Sequence, residues 1–275
     1  MKRFFLFFVA FCLSFPLLHA QDLGKAEMEC FYRLTFLNDT VKNLSKEDFT
    51  VLRFNKEHSL FYSKDSYYLD SLLCSDQQEA VSRQMFAEIS SPTKTYKRGT
   101  FTYTIHKDFK NQELVFMDDI VKEYYKYVEK IHDFDWQITD AQKKIWDYTC
   151  QKAVCTFRGR TYEAWFTSEI PVQNGPWKFH GLPGLIMEVY DTQKHYVFEF
   201  VGIKKSDANI TLLPYQYTLT SRDTYMKAYK KYIKDPLVAL GTLREKMGIK
   251  VVRKSNGLDK QLKAKTIHYD LMELN

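Results

Sequence analysis

Period-two alternation of apolar and polar residues, repeated along most of the chain, is the feature that most narrows its fold. The cleanest run is Thr100 to His106, with Phe101, Tyr103 and Ile105 on one side and threonines on the other. Such alternation marks a strand with one buried face. Tyr32–Phe36, Phe49–Phe54, Leu60–Ser63, Leu114–Met117, Ala153–Phe157, Thr161–Phe166, Leu185–Tyr190 and Tyr196–Ile203 read the same way. Tyr and Phe crowd these runs, as suits a pleated surface packed by large side chains. The gaps are short and carry no helical crossover, which favours antiparallel pairing over a doubly wound parallel sheet. With 45% hydrophobic and 27% charged residues, the chain has enough apolar surface to offset the entropy of ordering.

Helices are fewer. Ser75-Asp76-Gln77-Gln78 has the spacing of a capping box, followed by Val81, Met85 and Ile89 with Phe86 beside them. Arg222 to Lys234 carries Tyr225, Tyr229, Tyr232 and Ile233 on one side and lysines on the other. A second C-terminal helix is expected from an Asp235 cap and Pro236 through Leu237, Leu240, Leu243 and Met247 to Gly248. A basic helix can also lie on a membrane surface, but a tyrosine-lined face more often packs on a core.

The N-terminus gives an address. Lys2 and Arg3 precede an apolar run from Phe4 to Leu18, interrupted by Ser14 and Pro16 and ending at His19-Ala20-Gln21. The run is shorter than the roughly 20 residues a membrane span needs, which favours a cleaved secretory signal over residues 1–20 to a membrane anchor. No span follows it. The expectation is export to the periplasm or cell envelope, with secretion further out left open. Residues 21–275 then form one domain, near the roughly 250–300 residues at which a single core stops growing. Formal net charge is +6, and loss of Lys2 and Arg3 leaves +4, too mild to argue for nucleic acid.

Export changes how cysteines are read. Cys30, Cys74, Cys150 and Cys155 are an even set of disulfide candidates, with three possible connectivities. Cys150 and Cys155 are five apart and could pair with each other only across a turn or bulge. No CxxC and no zinc-finger histidine spacing accompanies them, so disulfides or buried thiols are favoured over a metal.

Four of the ten glycines and three of the seven prolines lie between Gly159 and Gly184. This segment reads as a strand, a long loop stiffened by ring and glycine geometry over 168–184, and a second strand. Pro183-Gly184 suits the central positions of a type II turn. Trp177 and Phe179 either pack the loop on the sheet, the commoner fate of aromatics, or line a pocket at its mouth. Gly181-Leu182-Pro183-Gly184-Leu185-Ile186 spells the motif that names the GLPGLI family of exported Gram-negative proteins. Trp136, Tyr148-Thr149-Cys150-Gln151-Lys152-Ala153, Phe157-Arg158-Gly159-Arg160, Ala164-Trp165-Phe166-Thr167, Ile170-Pro171 and Gly175-Pro176-Trp177-Lys178-Phe179 are also similar to that family's blocks, in its order. The resemblance is tight over about Trp136 to Tyr190. It implies an envelope-associated protein, with outer-membrane receptors as candidate partners, but no activity, cofactor or catalytic residue.

Catalytic spacings are missing: there is no G-x-S-x-G, H-E-x-x-H, phosphate-binding glycine loop or calcium loop. Asp118 and Asp119 are adjacent, so a strand would point them apart. His180, with Glu188 to orient it, could serve as a general base, and a hydrolase centred there is the rival reading. Arg158 and Arg160 are two apart and so share a strand face, and with Lys178 they could form an anion site; the alternative is ordinary ion pairing with Glu163, Glu169 or Glu188.

The sequence therefore predicts an α+β, β-rich protein: a curved antiparallel sheet, similar to a half-barrel, with a few packing helices. Its leading function is non-enzymatic binding in the envelope. The contact residues would be Arg158, Arg160, Trp165, Trp177, Lys178, Phe179 and His180, and the ligand apolar, peptide or glycan. No cofactor, metal or catalytic residue is assigned. A purely structural surface-interaction role is the third reading.

Overall fold

The computed structural model describes residues 20–88, 91–235 and 271–274. The signal segment to His19 and the helix expected from Pro236 to Gly248 lie outside them. The strands are β1 (Gln21–Lys25), β2 (Met28–Asp39), β3 (Leu44–Phe54), β4 (His58–Ser63), β5 (Thr104–Asp108), β6 (Glu113–Ile120), β7 (Glu123–Lys130), β8 (Gln137–Ile145), β9 (Tyr148–Phe157), β10 (Arg160–Thr167), β11 (Leu185–Asp191), β12 (Tyr196–Lys205), β13 (Asn209–Leu212) and β14 (Thr218–Leu219). The helices are α1 (Lys64–Leu73), α2 (Gln78–Ala87) and α3 (Arg222–Lys234).

Among the described residues, twelve strands form one open sheet in the order β14-β7-β6-β5-β4-β3-β2-β12-β11-β10-β9-β8, and β1 and β13 form a separate ribbon. Among the described strands the pairings are antiparallel, as expected, except that the two-residue edge strand β14 runs parallel to β7, which makes the sheet mixed.

Alternation sorts the strands into two faces. Cys30, Tyr32, Leu34 and Phe36 of β2 join Leu52, Phe61, Phe116, Tyr127, Ala153, Tyr162 and Phe198 in one cluster, to which strands from both ends of the sheet contribute. A sheet whose remote strands share one core must curl around it. The intervening positions Val51, Leu60, Tyr62, Val115 and Met117 form a second cluster on the outer face, closed by Ile210 and Leu212 of the β13 ribbon.

Two local expectations are corrected. The run from Thr100 becomes a strand only at Thr104, because the Asp48 carboxylate accepts from the Thr100 and Phe101 amides and the Ser66 hydroxyl donates to Phe101 O. Those backbone groups are therefore lost to any ladder. The Ser75 capping box is not formed: Ser75 Oγ accepts from Gln77 N, the helix starts at Gln78, and Met85 and Phe86 are exposed beside buried Val81. α1 and α3 pack on opposite faces of the sheet. Tyr67 of α1 packs toward the outer cluster, whereas Tyr225, Met226, Tyr229 and Tyr232 of α3 pack on the inner one.

Cys30, Cys74, Cys150 and Cys155 are free thiols, all but Cys74 buried. Cys150 and Cys155 lie on the single strand β9. Five residues of extended chain separate Cα atoms by roughly 16 Å, against a disulfide limit near 7 Å. Burial pushes their thiols up, to about 11 for Cys150 and about 12 for Cys155, so they act as small core side chains.

Candidate functional site

Residues 168–184 connect the neighbouring strands β10 and β11 and form a strap across the inner face. Pro183 does not centre a type II turn. Gly184 N donates to Leu182 O at 2.7 Å, a three-residue γ-turn. Gly184 is needed for close approach, since a Cβ there would lie 2.0 Å from Thr167 O. Gly175 likewise abuts the Ile186 side chain. Leu182, Leu185 and Ile186 are core residues, and Gly181, at φ 88, sits where a Cβ would meet nothing within 4 Å.

The strap is fastened from several sides. Lys107 of β5 is fully buried and donates to Gly175 O at 3.0 Å and Phe179 O at 2.9 Å. Burial holds its amine well below the usual lysine range. Trp136 Nε1 donates to His180 O, and just past the strap Tyr32 OH donates to Ile186 O of β11.

Trp177 and Phe179 pack in the core beside Phe157 and Tyr162. Trp177→Ala is expected to cost about 3 kcal/mol, the range for deleting a buried aromatic. A urea-melt shift worth under about 1 kcal/mol would show that the ring is not structural.

His180 is buried, its Nδ1 lies 2.8 Å from Lys178 O, and burial followed by Lys107 lowers its imidazole to about 4. Glu188 bonds Lys143 at 2.7 Å on the outer face, where Lys143 also covers the Trp165 ring at 4.4 Å. The His180–Glu188 pairing required by the hydrolase reading is therefore not formed, and Trp165 meets Lys143 and donates through Nε1 to Tyr190 OH.

The cationic residues do converge. Arg158 is not a strand residue: with φ 46, followed by Gly159 at φ 81, it forms the two-residue turn of the β9–β10 hairpin. Its guanidinium reaches Glu129 of β7 at 2.7 Å and Glu273 at 2.5 Å. Lys178 Nζ lies 2.7 Å from Glu129 and 2.6 Å from Glu273, and is 1% exposed. Arg222 Nε completes the ring around Glu273 at 2.5 Å. Arg160 is held by buried Asp191 at 3.0 Å and donates through Nε to Leu271 O. None of the carboxylates expected as partners, Glu163, Glu169 or Glu188, takes part. Glu129, Glu273 and Arg222 were not foreseen, because all three are far away in sequence.

Burial raises the Glu273 carboxyl, but Lys178 and then Arg158 outweigh it and hold the group at about 2. A depressed acid stabilises the fold above its unfolded value of 4.5, and that contribution drains away as pH falls from 4.5 toward 2. The difference is worth about 3 kcal/mol. Melts between pH 6 and 2.5 should show this loss, and Glu273→Gln should remove that part of the slope; an unchanged slope would refute the assignment.

Beside this cluster opens a cleft of about 750 Å³ between α3, the strap and the 98–103 segment. Phe101, Tyr103, Phe116, Tyr196 and Tyr229 line it with one side of Trp177, and Leu271, Met272 and Glu273 form part of the wall. Asp118 sits in the wall with Thr102 Oγ1 and Tyr225 OH donating to it. Burial outweighs those hydroxyls and pushes its carboxyl up to about 7. Among the described residues, no cluster of His, Cys, Asp and Glu suits a metal and no helix is long and apolar enough to cross a membrane.

Comparison with known proteins adds fold rather than chemistry. None of the curated proteins matches. Among solved structures the chain is similar to PNGF-II in a P21 crystal form, with TM-score 0.50 and 17% identity, and in a C2 form, with TM-score 0.49 and 16% identity. Each match covers 74% of this chain but 32% of the other, so the chain spans about a third of the length of those structures. A family model described as a protein of unknown function (Porph_ging) matches residues 156–188, the stretch that holds the Arg158 turn, β10 and the strap.

Proposed function

We propose that this chain is an exported envelope protein that works by binding, with the aromatic cleft beside the strap as its recognition surface. Residues 21–275 are taken as one domain, and the ligand is an apolar, peptide or glycan group, presented free or by an outer-membrane receptor. The cleft carries this reading: it has the size of ordinary ligand sites and combines aromatic walls with a few polar groups. Tyr103 supports it, since its buried hydroxyl has no hydrogen-bond partner among the described residues. An unpaired buried phenol costs free energy that a ligand acceptor would recover.

The test is a binding screen of purified protein against lipids, peptides, glycans and envelope receptor proteins. Phe101→Ala and Tyr229→Ala, both at half-buried positions on the cleft, should weaken the captured ligand at least tenfold without unfolding the protein. No binding to any class at micromolar concentration, or binding indifferent to both substitutions, would overturn the reading.

A further inference from the structure

Residues 271–274 meet the inner face as a ligand meets a receptor. Their contacts are not those of a strand ladder: Arg160 Nε donates to Leu271 O at 2.8 Å, Tyr162 OH donates to Met272 O at 2.7 Å, and Leu274 N donates to Arg158 O at 3.0 Å. Between them the Glu273 side chain fills the space enclosed by Arg158, Lys178 and Arg222. The receiving groups come from the β9–β10 hairpin, the strap and the start of α3.

Charge points the same way. Without Glu273, buried Lys178 and half-buried Arg158 would share the single carboxylate of Glu129. A cation pair in so dry a setting calls for another anion. Charge-assisted bonds from Arg158, one to Glu129 and one to Glu273, favour a carboxylate in that place.

We infer that this corner of the cleft is a recognition subsite for an extended acidic peptide, and that segment 271–274 is its intramolecular occupant. Three requirements define the ligand: one carboxylate side chain for the cation ring, two consecutive main-chain carbonyls for Arg160 and Tyr162, and an apolar side chain where buried Met272 sits. A phosphate or an anionic lipid headgroup supplies the charge but not the paired carbonyls. The chain's own segment competes by tethering, which raises its effective concentration to the millimolar range, so a free peptide binds the intact chain weakly. This inference rests on reading the cleft as a binding site and adds the class of its ligand.

The test uses the full chain and a C-terminally amidated Leu-Met-Glu-Leu peptide carrying fluorescein on its N-terminus, read by polarisation. Glu273→Gln should bind this probe at least tenfold tighter than the unaltered chain, because its own segment is loosened. The same probe with Gln for Glu should not bind, and adding Arg158→Gln should abolish capture. If Glu273→Gln lowers the melting temperature, millimolar Glu peptide should restore it and Gln peptide should not. A folded Glu273→Gln chain that binds no tighter, a weakened one that the peptide fails to restore, or equal binding of the two peptides would overturn the inference. Inorganic phosphate or phosphatidylglycerol vesicles competing as well as the Glu peptide would overturn it too, by showing a site for charge alone. Loss of peptide capture while a screened ligand still depends on Phe101 and Tyr229 defeats this inference and leaves the cleft reading standing; loss of both defeats both.

Discussion

Gly184→Ala is expected to prevent the native fold from forming at ordinary temperature. The added Cβ would lie 2.0 Å from Thr167 O, 2.5 Å from Thr167 C and 2.9 Å from Ser168 N, all of them backbone atoms. Thr167 cannot retreat, because it is the last pair of the β10–β11 ladder, opposite Leu185. A clash against fixed backbone falls in the class of substitutions that cost more than about 4 kcal/mol. That is a large part of the roughly 5–15 kcal/mol holding an ordinary domain together. Gly181→Ala is the control. Its Cβ would meet nothing within 4 Å, so only the backbone cost of φ 88 remains, about 1–2 kcal/mol. Soluble yield and thermal melts separate the two, and a Gly184→Ala protein melting within a few degrees of the original would disprove the close-approach argument.

Lys178→Met should be the most damaging change that preserves side-chain volume. The methionine keeps the apolar stem but takes one cation away from Glu129 and Glu273 together. Breaking one side of a buried pair typically costs about 3–5 kcal/mol. Arg158 and Arg222 still face Glu273, so a value near 3 kcal/mol is expected. Adding Glu273→Gln should cost less than the sum of the single changes, because the two groups are in contact. Denaturant melts of the four proteins measure the coupling, and strict additivity would show that the cluster does not act as a unit.

The strands that show one buried face were legible because their alternation is direct: β2, β4, β9, β10, β11 and β12 fall on expected runs, and α3 has its expected bounds. β8 was not, since Gln137–Ile145 lies at the sheet edge, mostly exposed, and carries no apolar period. β7 was hidden by tyrosines and charges, with Tyr127 its one buried apolar residue. α1 was hidden because its buried positions include Ser66 and Asp70, which read as surface. At the site, Arg158, Arg160 and Lys178 were visible as cations near one another in sequence. Their acidic partners were not, because only the curl of the sheet brings Glu129 against the strap, and nothing local to Glu273 marks it for burial.

That curl leaves the sheet open, with β7 near one end and the β9–β10 hairpin near the other. Arg158 and Lys178 join these remote strands through Glu129, so ion pairs bridge a gap that no strand pairing among the described residues spans. Such a bridge parts without giving up a single strand pairing. Parting the wall beside the cleft would therefore break these ion pairs and the ring contacts behind them, such as Phe134 on Phe157 and Phe179, before any strand lost its neighbour.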